Sequence, residues 1–441
     1  MTKKKGGEKK KMNLQKKVAS VIATASLLLQ LATPVLADTT IVISGNGSDT
    51  ENKADVKLDQ TTYVQQSNTA NIENTVYADA NTGKNDANRN TGGSVSIDTG
   101  EAKTDVAVSN TVNSNTAEVK CCEGDLDVLI SGNGDSSKNK VELDVNQGKD
   151  TGTQVYQNNS AKIENTVDAD ANTGKNDADR NTGGSVSITT GKATTEVDVI
   201  NQANANSALV GGNSDGAKLS LRILGNGADT ENKNDLDYDR SVWVDQSNQA
   251  RIENYVDADA DTGKNDANRN TGGTVSIDTG NAKVDVAVDN MVNFNWADVD
   301  CGCILDVLAK IVDNGDSSKN EVKADIEDLL GVVQDNSCDK YGYGERSWWW
   351  KHHKKPCLDN EVYADADTGK NDVDRNTGDP GVDPSIETGN AETDVVVENS
   401  GNSNVFGETA PDWGWEPPFP GMSFNINLTF SLGDLLAALL G

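Results

Sequence analysis

The residues in this sequence with the clearest chemical potential are aspartates that recur in one short motif. Residues 256–280 read VDADADTGKNDANRNTGGTVSIDTG, and near-copies occupy 76–100, 167–191 and 362–389. Aspartate alternates with alanine in this motif, and alternate residues of an extended strand share one face. Stacked copies would therefore bring several carboxylates together, and Ca²⁺ prefers such oxygen ligands. The candidate calcium ligands are Asp168, Asp170, Asp257, Asp259, Asp261, Asp365 and Asp367.

Two other metal or catalytic interpretations of the motif fail on its spacing. An EF-hand loop starting at Asp257 would need Gly at its sixth and Glu at its twelfth position, but Gly263 is seventh and Asn268 is twelfth. An aspartic protease needs two Asp-Thr-Gly carboxylates in one site. The equivalents of Asp261 in the first two copies are Asn81 and Asn172, so this position requires a turn former rather than an acid. A solvated acidic face remains the alternative to calcium.

A second candidate site is an insert in the fourth copy, CDKYGYGERSWWWKHHKKPC. It combines clustered tryptophans with basic residues in a chain of net charge −31, and it is flanked by Cys338 and Cys357. We predict a disulfide between these two cysteines, which would stabilise the loop by roughly 3 kcal/mol in the chain-entropy model. The predicted partner-binding residues are Trp348, Trp349, Trp350, Lys351, His352, His353, Lys354 and Lys355.

The partner of this insert is predicted to be a surface glycan, an envelope polymer or another protein. Exposed clustered tryptophan is costly unless a partner covers it. The loop could instead fold back to cap its own chain, or dock onto the acidic face of a neighbouring molecule. The only histidines, His352 and His353, lie in this insert. No nucleophile–base pair and no phosphate-binding loop is visible, so we predict a protein that is not an enzyme.

The elements that position these residues are repeats of about 90 residues. Thr82, Thr173, Thr262 and Thr368 mark the same point of each copy, at spacings of 91, 89 and 106 residues. Self-similarity at a fixed period is typical of a solenoid or an array. The first copy alternates from residue 64 to residue 80, with one parity carrying Val, Ile, Ala, Asn and Gln. This alternation predicts strand with one buried face, and inward amides that pair with their equivalents in the next coil.

Thr-Gly pairs at 82, 91 and 99 predict corners, with Gly supplying positive φ and the preceding Asn or Asp bonding its own backbone. Their spacing favours coils of roughly 20–27 residues, several to each repeat. We therefore predict an all-β fold: a β-solenoid (β-helix) of four repeats of about 90 residues. The alternative is a row of tandem β-sandwich domains, since about 90 residues is also a sandwich size.

Two resemblances accompany this architecture. QQSNTANIEN at 65–74, and its copies at 156–165 and 245–254, resemble the repeats of curlin-type solenoids, although curlin repeats are far shorter. The longer Asn-Thr-Gly…Asn-Thr-Gly-Gly pattern resembles repeat-rich exported surface proteins of candidate-phyla (Patescibacteria-type) bacteria. The second resemblance covers most of residues 41–406 and implies a secreted or cell-surface location. Amyloid assembly is not carried over from curlins.

The composition and the chain ends agree with export. Lysines at 3–17 precede the apolar run VASVIATASLLLQLATPVLA, which ends with Val35 and Ala37 at the −3 and −1 positions of a cleavage site. Removing residues 1–37 takes away eight lysines and one glutamate, so the net charge moves from −31 to −38. Such a chain is repelled by nucleic acid and by anionic lipid. An uncleaved anchor is the alternative, and no transmembrane segment is expected in the mature chain.

The predicted organisation is a signal peptide at 1–37, four repeats, and a Pro/Trp linker with a capping or assembly strand at 407–441. The repeats span 38–127, 128–218, 219–303 and 304–406, the last with its insert at 338–357. Cysteines in an exported chain favour disulfides, but the pairing of Cys121, Cys122, Cys301 and Cys303 stays open. We expect a stiff acidic spacer that presents the insert for adhesion or envelope attachment. The alternatives are a subunit of an extracellular filament or surface layer, joined through its terminal strands, and a β-helix enzyme acting on polysaccharide.

Overall fold

A computed structural model describes residues 29–32, 39–59, 61–119, 126–147, 152–211, 218–300, 306–337, 357–378, 381 and 383–407. These residues form parallel β-sheets and contain no helix, so the prediction of an all-β fold is confirmed. None of them belongs to a helix that could cross a membrane.

The strands fall into four successive sets that follow one pattern, each set being one turn of the chain. We call these turns rungs 1 to 4; they cover residues 39–119, 126–211, 218–300 and 306–407. A short strand, β1 (Leu29–Ala32), precedes rung 1. Rung 1 contains β2 (Thr39–Ser44), β3 (Glu51–Asp59), β4 (Thr62–Asn81), β5 (Val95–Asp98) and β6 (Ala102–Val119). Rung 2 contains β7 (Leu126–Ser131), β8 (Lys138–Gln147), β9 (Thr153–Asn172), β10 (Val186–Thr189) and β11 (Ala193–Gly211). Rung 3 contains β12 (Lys218–Leu224), β13 (Glu231–Asp261), β14 (Val275–Asp278) and β15 (Ala282–Asp300). Rung 4 contains β16 (Asp306–Val312), β17 (Lys319–Ser337), β18 (Leu358–Asp367), β19 (Ser385–Glu387) and β20 (Ala391–Phe406).

Each strand pairs in parallel with its equivalent in the next rung. Thr62 of β4 lies opposite Thr153 of β9, which is 91 residues further along the chain. One turn of the solenoid therefore takes a whole repeat, and the prediction of several coils of 20–27 residues per repeat is wrong. The parallel pairing between repeats also differs from tandem sandwiches, in which each domain would close its own antiparallel sheets.

The rungs build two large opposed sheets. The long sheet contains β3, β4, β8, β9, β13, β17 and β18, and the return sheet contains β1, β6, β11, β15 and β20. Short sheets of β2, β7, β12 and β16, and of β5, β10, β14 and β19, complete the turn. Because β13 has 31 residues, it spans up to about 100 Å at ~3.3 Å per residue. The four rungs span only ~15 Å at the usual strand spacing, so the described part of the chain extends further along its strands than along the stack.

Small apolar residues and stacked amides fill the space between the two sheets. In rung 2, Val167 and Ala169 of the long sheet and Val197 and Val199 of the return sheet belong to one fully buried cluster. The even-numbered residues of β4 face inward from 62 to 80, so the predicted parity is confirmed. Most of the buried side chains are no larger than isoleucine or glutamine, in agreement with the composition of the repeats, although Tyr238 and Phe294 are also buried.

The predicted pairing of inward amides between rungs is also confirmed. Asn68 Nδ2 donates to Asn159 Oδ1 at 3.1 Å, and the same bond continues to Asn248 and Asn336. A glutamine column runs beside it. Gln157 Nε2 donates to Gln66 Oε1 in rung 1, and Gln157 Oε1 accepts from Gln246 Nε2 in rung 3. These columns satisfy buried polar groups that would otherwise cost free energy.

The first Thr-Gly corner is built differently from the prediction. Asn81 Oδ1 accepts the backbone N–H of Gly83 at 3.0 Å, as expected for an Asx turn. The left-handed residue is not this glycine but Lys84, with φ of 61°. Gly83 is required because a Cβ there would lie 2.0 Å from the carbonyl oxygen of Gly174 in the next rung. Positive φ does occur at the second corner, where Gly92 has φ of 77°.

Candidate functional site

The predicted acidic ligands lie on the outer face of the long sheet, just before the first corner. Strand register places Asp79, Asp170, Asp259 and Asp365 opposite one another in successive rungs. We call these four residues the acidic column. Asp168 and Asp257 form a second column two residues earlier, flanked by Tyr77 and Tyr363 in the outer rungs, and Asp261 and Asp367 lie two residues later. The structure therefore brings all seven predicted aspartates to one face.

Asp261 and Asp367 have a structural role in the corner. Asp261 Oδ1 accepts the N–H of Gly263 at 2.9 Å, and Asp367 Oδ1 accepts that of Gly369 at 2.8 Å. These are Asx turns, so the Asp-Thr-Gly tripeptide here is a turn motif and its carboxylate is already engaged.

A column of lysines, which the sequence analysis missed, lies beside the acidic column. Each lysine follows the first Thr-Gly pair and has a φ between 58° and 61°. The signal in the sequence was the repeated Thr-Gly-Lys, in which a left-handed lysine is uncommon. The column consists of Lys84, Lys175, Lys264 and Lys370.

Three of these lysines pair with the aspartates of the turn rather than with the acidic column. Lys264 Nζ lies 2.6 Å from Asp261 Oδ2 and 3.8 Å from Asp367 Oδ2. Lys175 Nζ lies 3.6 Å from Asp261 Oδ2, and Lys370 Nζ lies 3.0 Å from Asp367 Oδ2. Lys84, Lys175 and Lys264 of the lysine column line a groove on the long sheet together with the acidic column.

Crowding of the carboxylates changes their affinity for protons. Partial burial raises the pKa of Asp259 to about 6, and the charges of Asp257, Asp170 and Asp365 act in the same direction. Burial and the neighbours Asp168 and Asp79 also raise the pKa of Asp170. The stacked strands therefore hold like charges closer together than free side chains would stand.

Asp367 shows the opposite behaviour. Its partial burial acts to raise its pKa, but the hydrogen bonds from Lys370 and from the backbone of Gly369 outweigh burial and lower it. The turn aspartates are therefore compensated by lysine, whereas the acidic column is not compensated to the same degree.

The groove has the ligand type for calcium, but not a closed ligand set. Among the described residues, no group of three or more His, Cys, Asp or Glu side chains is arranged to hold a metal ion. Aspartates of one column are separated by a full strand spacing, about 4.8 Å. Calcium binding by Asp168, Asp170, Asp257, Asp259, Asp261, Asp365 and Asp367 therefore stays a prediction.

A further acidic column lies beyond the corner, and the sequence analysis did not identify it. Asp86, Asp177, Asp266 and Asp372 occupy equivalent positions joined by isolated β-bridges. Burial is the largest cause that raises the pKa of Asp177 and of Asp266. The Lys-Asn-Asp sequence that follows each Thr-Gly was the available signal.

The insert of the fourth repeat interrupts the long sheet at one point. Ser337 ends β17 opposite Gln249, and Leu358 begins β18 opposite Ile252. Cys357 is disulfide-bonded, and its backbone oxygen accepts the N–H of Ile252 at 2.8 Å. The predicted binding residues Trp348–Trp350, Lys351, His352, His353, Lys354 and Lys355 lie outside the described residues, as does Cys338. The pairing of Cys338 with Cys357 stays a prediction.

The region of the predicted signal peptide contributes one described element. Leu29–Ala32 forms β1 and pairs with Thr116–Val119 at the end of β6. Cysteines 121, 122, 301 and 303 and the tail from residue 408 lie outside the described residues. Export and cleavage after Ala37 stay predictions.

Comparisons of the chain with protein-family models, with curated proteins and with solved structures found no match.

Proposed function

We propose that this protein is an exported, non-catalytic surface protein in which a rigid acidic β-solenoid presents the segment 338–356 for attachment. The partner that suits the charge and aromatic content of that segment is an acidic glycan or envelope polymer. The rest of the molecule is the support that holds the segment in place.

The observation that carries this proposal is the way the insert enters and leaves the sheet. β13 runs without a break along the path that β17 and β18 share in rung 4. Only Ala250 and Arg251 of β13 separate the partners of Ser337 and Leu358. The two ends of the insert are therefore close together, about 10 Å apart at the usual rise per residue. A loop with adjacent ends can project from the sheet without changing the register on either side.

The support is stiff for two reasons. Backbone pairing continues in register through all four rungs, and columns of asparagine tie the two opposed sheets together. Asn165, for example, accepts from Asn74 and donates to Asn254 along its column, and it bonds Asn110 and Asn201 across the interior. A preorganised support lowers the entropy cost of binding through the loop.

Replacing Trp348, Trp349 and Trp350 together with alanine tests the proposal. Aromatic faces supply the contact area and the lysines add a salt-dependent attraction, so the triple variant should lose attachment to acidic glycan. Its melting temperature should stay that of the wild type, because the insert lies outside the repeats. Glycan-array binding and thermal melting measure the two quantities.

The matched control replaces Trp413 and Trp415, which lie in the tail, and should retain attachment. If the triple variant melts much earlier while each folded molecule binds as well as the wild type, the insert is a cap and the attachment function is wrong. Cleavage of the glycan by the wild-type protein would instead favour the polysaccharide-active enzyme.

A further inference from the structure

The two ends of the rung stack differ in how well their interior is covered. In rung 4, inward residues remain 41–55% exposed: Val322, Ile326, Ile386, Val395 and Val397. The equivalent inward positions of rung 1 include Ile97 at 6%, Val106 at 7% and Val108 at 8%. At these positions, the interior is therefore covered at rung 1 and exposed at rung 4. Exposed apolar side chains in an otherwise polar surface indicate a site that another surface covers.

Within the described part of the chain, both ends also present long strand edges without a second neighbouring strand. β3 and β4 in rung 1, and β17 and β18 in rung 4, each pair with a single neighbouring strand of the long sheet. Edges of this length are templates for pairing with another chain unless charge, proline or a covering element blocks them. The question is then which strand fits the edge of rung 4.

Along the first part of the long sheet, the charges on β17 match those on β3 of a second copy. The first four outward residues of β3 are Glu51, Lys53, Asp55 and Lys57, and those at the same positions of β17 are Lys319, Glu321, Lys323 and Asp325. The fifth outward residue, Asp59, shares its position with Glu327. If a second copy continued the stack, its β3 would lie in register on β17. Each of the first four positions would then place opposite charges next to each other, whereas the fifth would place Asp59 beside Glu327.

Charges at this spacing do pair within the molecule. Lys57 Nζ lies 3.0 Å from Asp144 Oδ2 in the next rung, Lys319 Nζ lies 3.5 Å from Glu231, and Lys323 Nζ lies 3.6 Å from Asp235. The junction would therefore repeat an interaction that the solenoid already uses. Such pairs contribute little stability each, but four in register select the partner and its alignment.

The interior columns are matched to the same junction. Asn248 Nδ2 donates to Asn336 Oδ1 in the next rung, and Asn336 Nδ2 donates across the interior to Ser403 and Asn404. Asn336 is the last member of this column in the described rungs. Asn68 begins the same column in rung 1. If a second copy stacked on rung 4, its Asn68 Oδ1 would lie next to Asn336 Nδ2, just as Asn336 Oδ1 lies next to Asn248 Nδ2. The column would thus continue without a change of donor direction.

We propose that rung 4 of one copy docks on rung 1 of a second copy, in register, so that the solenoid continues from molecule to molecule. This contact is separate from attachment through segment 338–356. Because the two surfaces are different, it is heterologous and propagates into an open filament rather than closing as a dimer. Among the described residues, only β1 lies on the rung 1 edge, at Thr116–Val119, and it leaves β3, β4 and β5 available.

Two glycines make the proposal testable without disturbing the fold. A Cβ at Gly100 would meet nothing within 4 Å, and a Cβ at Gly369 would meet only Asp367 Oδ1 at 3.4 Å. Their equivalents in covered rungs have no such room. A Cβ at Gly191 would lie 2.3 Å from the oxygen of Gly100, and one at Gly263 would lie 2.0 Å from that of Gly369. In the proposed junction, Gly100 and Gly369 would be covered in the same way.

The experiment compares the full chain with Gly100→Ala and Gly369→Ala by sedimentation velocity over a range of concentrations. Since the net charge of −31 opposes association, the buffer contains salt near physiological ionic strength, about 0.15 M. The wild type should form oligomers that grow with concentration. Each variant should associate at least about tenfold more weakly than the wild type, and its melting temperature should be unchanged. Mixing the two variants should give heterodimers and nothing larger, because each retains one functional end.

A substitution that reverses a charge provides a second test of the same contact. Asp325→Lys should also weaken association, since it would face Lys57 of the second copy. The control, Asp237→Lys, makes the same charge change one rung inward and should associate as the wild type does. A wild-type chain that stays monomeric at every concentration would show that rung 4 is covered from within its own chain, and the proposal would fail. It would equally fail if Gly100→Ala assembled normally.

Discussion

At the scale of single residues, the carboxylates of the acidic column repel one another. Asp259 carries the clearest sign, because its neighbours above and below are also aspartates and its pKa is raised to about 6. In the unfolded chain the same carboxyl has a pKa near 3.9. Between these values the folded state holds the proton more tightly than the unfolded state does. This contribution to stability is therefore complete below about pH 4 and is lost as the pH rises through about 6.

We expect Asp259→Asn to raise the melting temperature at pH 7 and to reduce the gain in stability that the wild type shows between pH 7 and pH 5. The effect should be below about 1 kcal/mol, because one side of the carboxylate remains in solvent. Thermal melting across that pH range measures it. Asp237→Asn removes the same charge elsewhere on the long sheet and should leave the pH profile unchanged. A variant at 259 that is less stable at pH 7 would show that the carboxylate has a stabilising partner.

At the scale of elements, each strand is held by its inward amides as much as by its apolar residues. Asn165 of β9 is 2% exposed and makes four amide contacts at 2.7–3.0 Å, two along its column and two across the interior. Removing its side chain removes all four of these hydrogen bonds from the interior, and each contributes about 0.5–1.5 kcal/mol net.

Asn165→Ala should therefore lower the free energy of unfolding by about 3 kcal/mol or more, measured by urea denaturation. Thr166→Ala, the next residue on the same strand, changes an outward position and should alter stability by no more than about 0.5 kcal/mol. Similar losses from both variants would mean that the amide columns are not a major source of stability.

At the scale of the whole molecule, the sheets place columns of carboxylates along one face of a chain with a net charge of −31. Any salt should stabilise it by screening. If calcium bridges aspartates of successive rungs, it should raise the melting temperature by several degrees more than magnesium does at equal ionic strength, since only the folded state would bind it. Thermal melting in matched CaCl₂, MgCl₂ and NaCl buffers measures this difference.

The variant that replaces both Asp257 and Asp259 with asparagine should lose the calcium-specific part and keep the response to ionic strength. If the three salts have equal effects on the wild type, the acidic face is a solvated surface that does not bind calcium specifically. In that case the lysine column and the Asx turns account for the role of the motif in the fold.

The alternation of residues 64–80 was sufficient to determine strand, the inward parity and the pairing of asparagine and glutamine with their equivalents. The reason is physical: a pleated strand with one buried face has a period of two, and a buried amide must find a partner wherever the chain places it. The Asx turns at Asn81 and Asp261 were likewise local, because the side chain bonds a backbone group two residues away.

Only the tertiary structure decided how long one turn of the solenoid is. Closing a turn after about 25 or about 90 residues differs little in chain entropy, so the corners at Thr82, Thr91 and Thr99 could not reveal the choice. Packing selected the long turn, because only that register stacks every repeat on its own equivalent. The same contacts between rungs explain why Gly83 must be glycine and why the interior of rung 4 remains open. Both depend on residues about 90 positions away, and no local pattern records them.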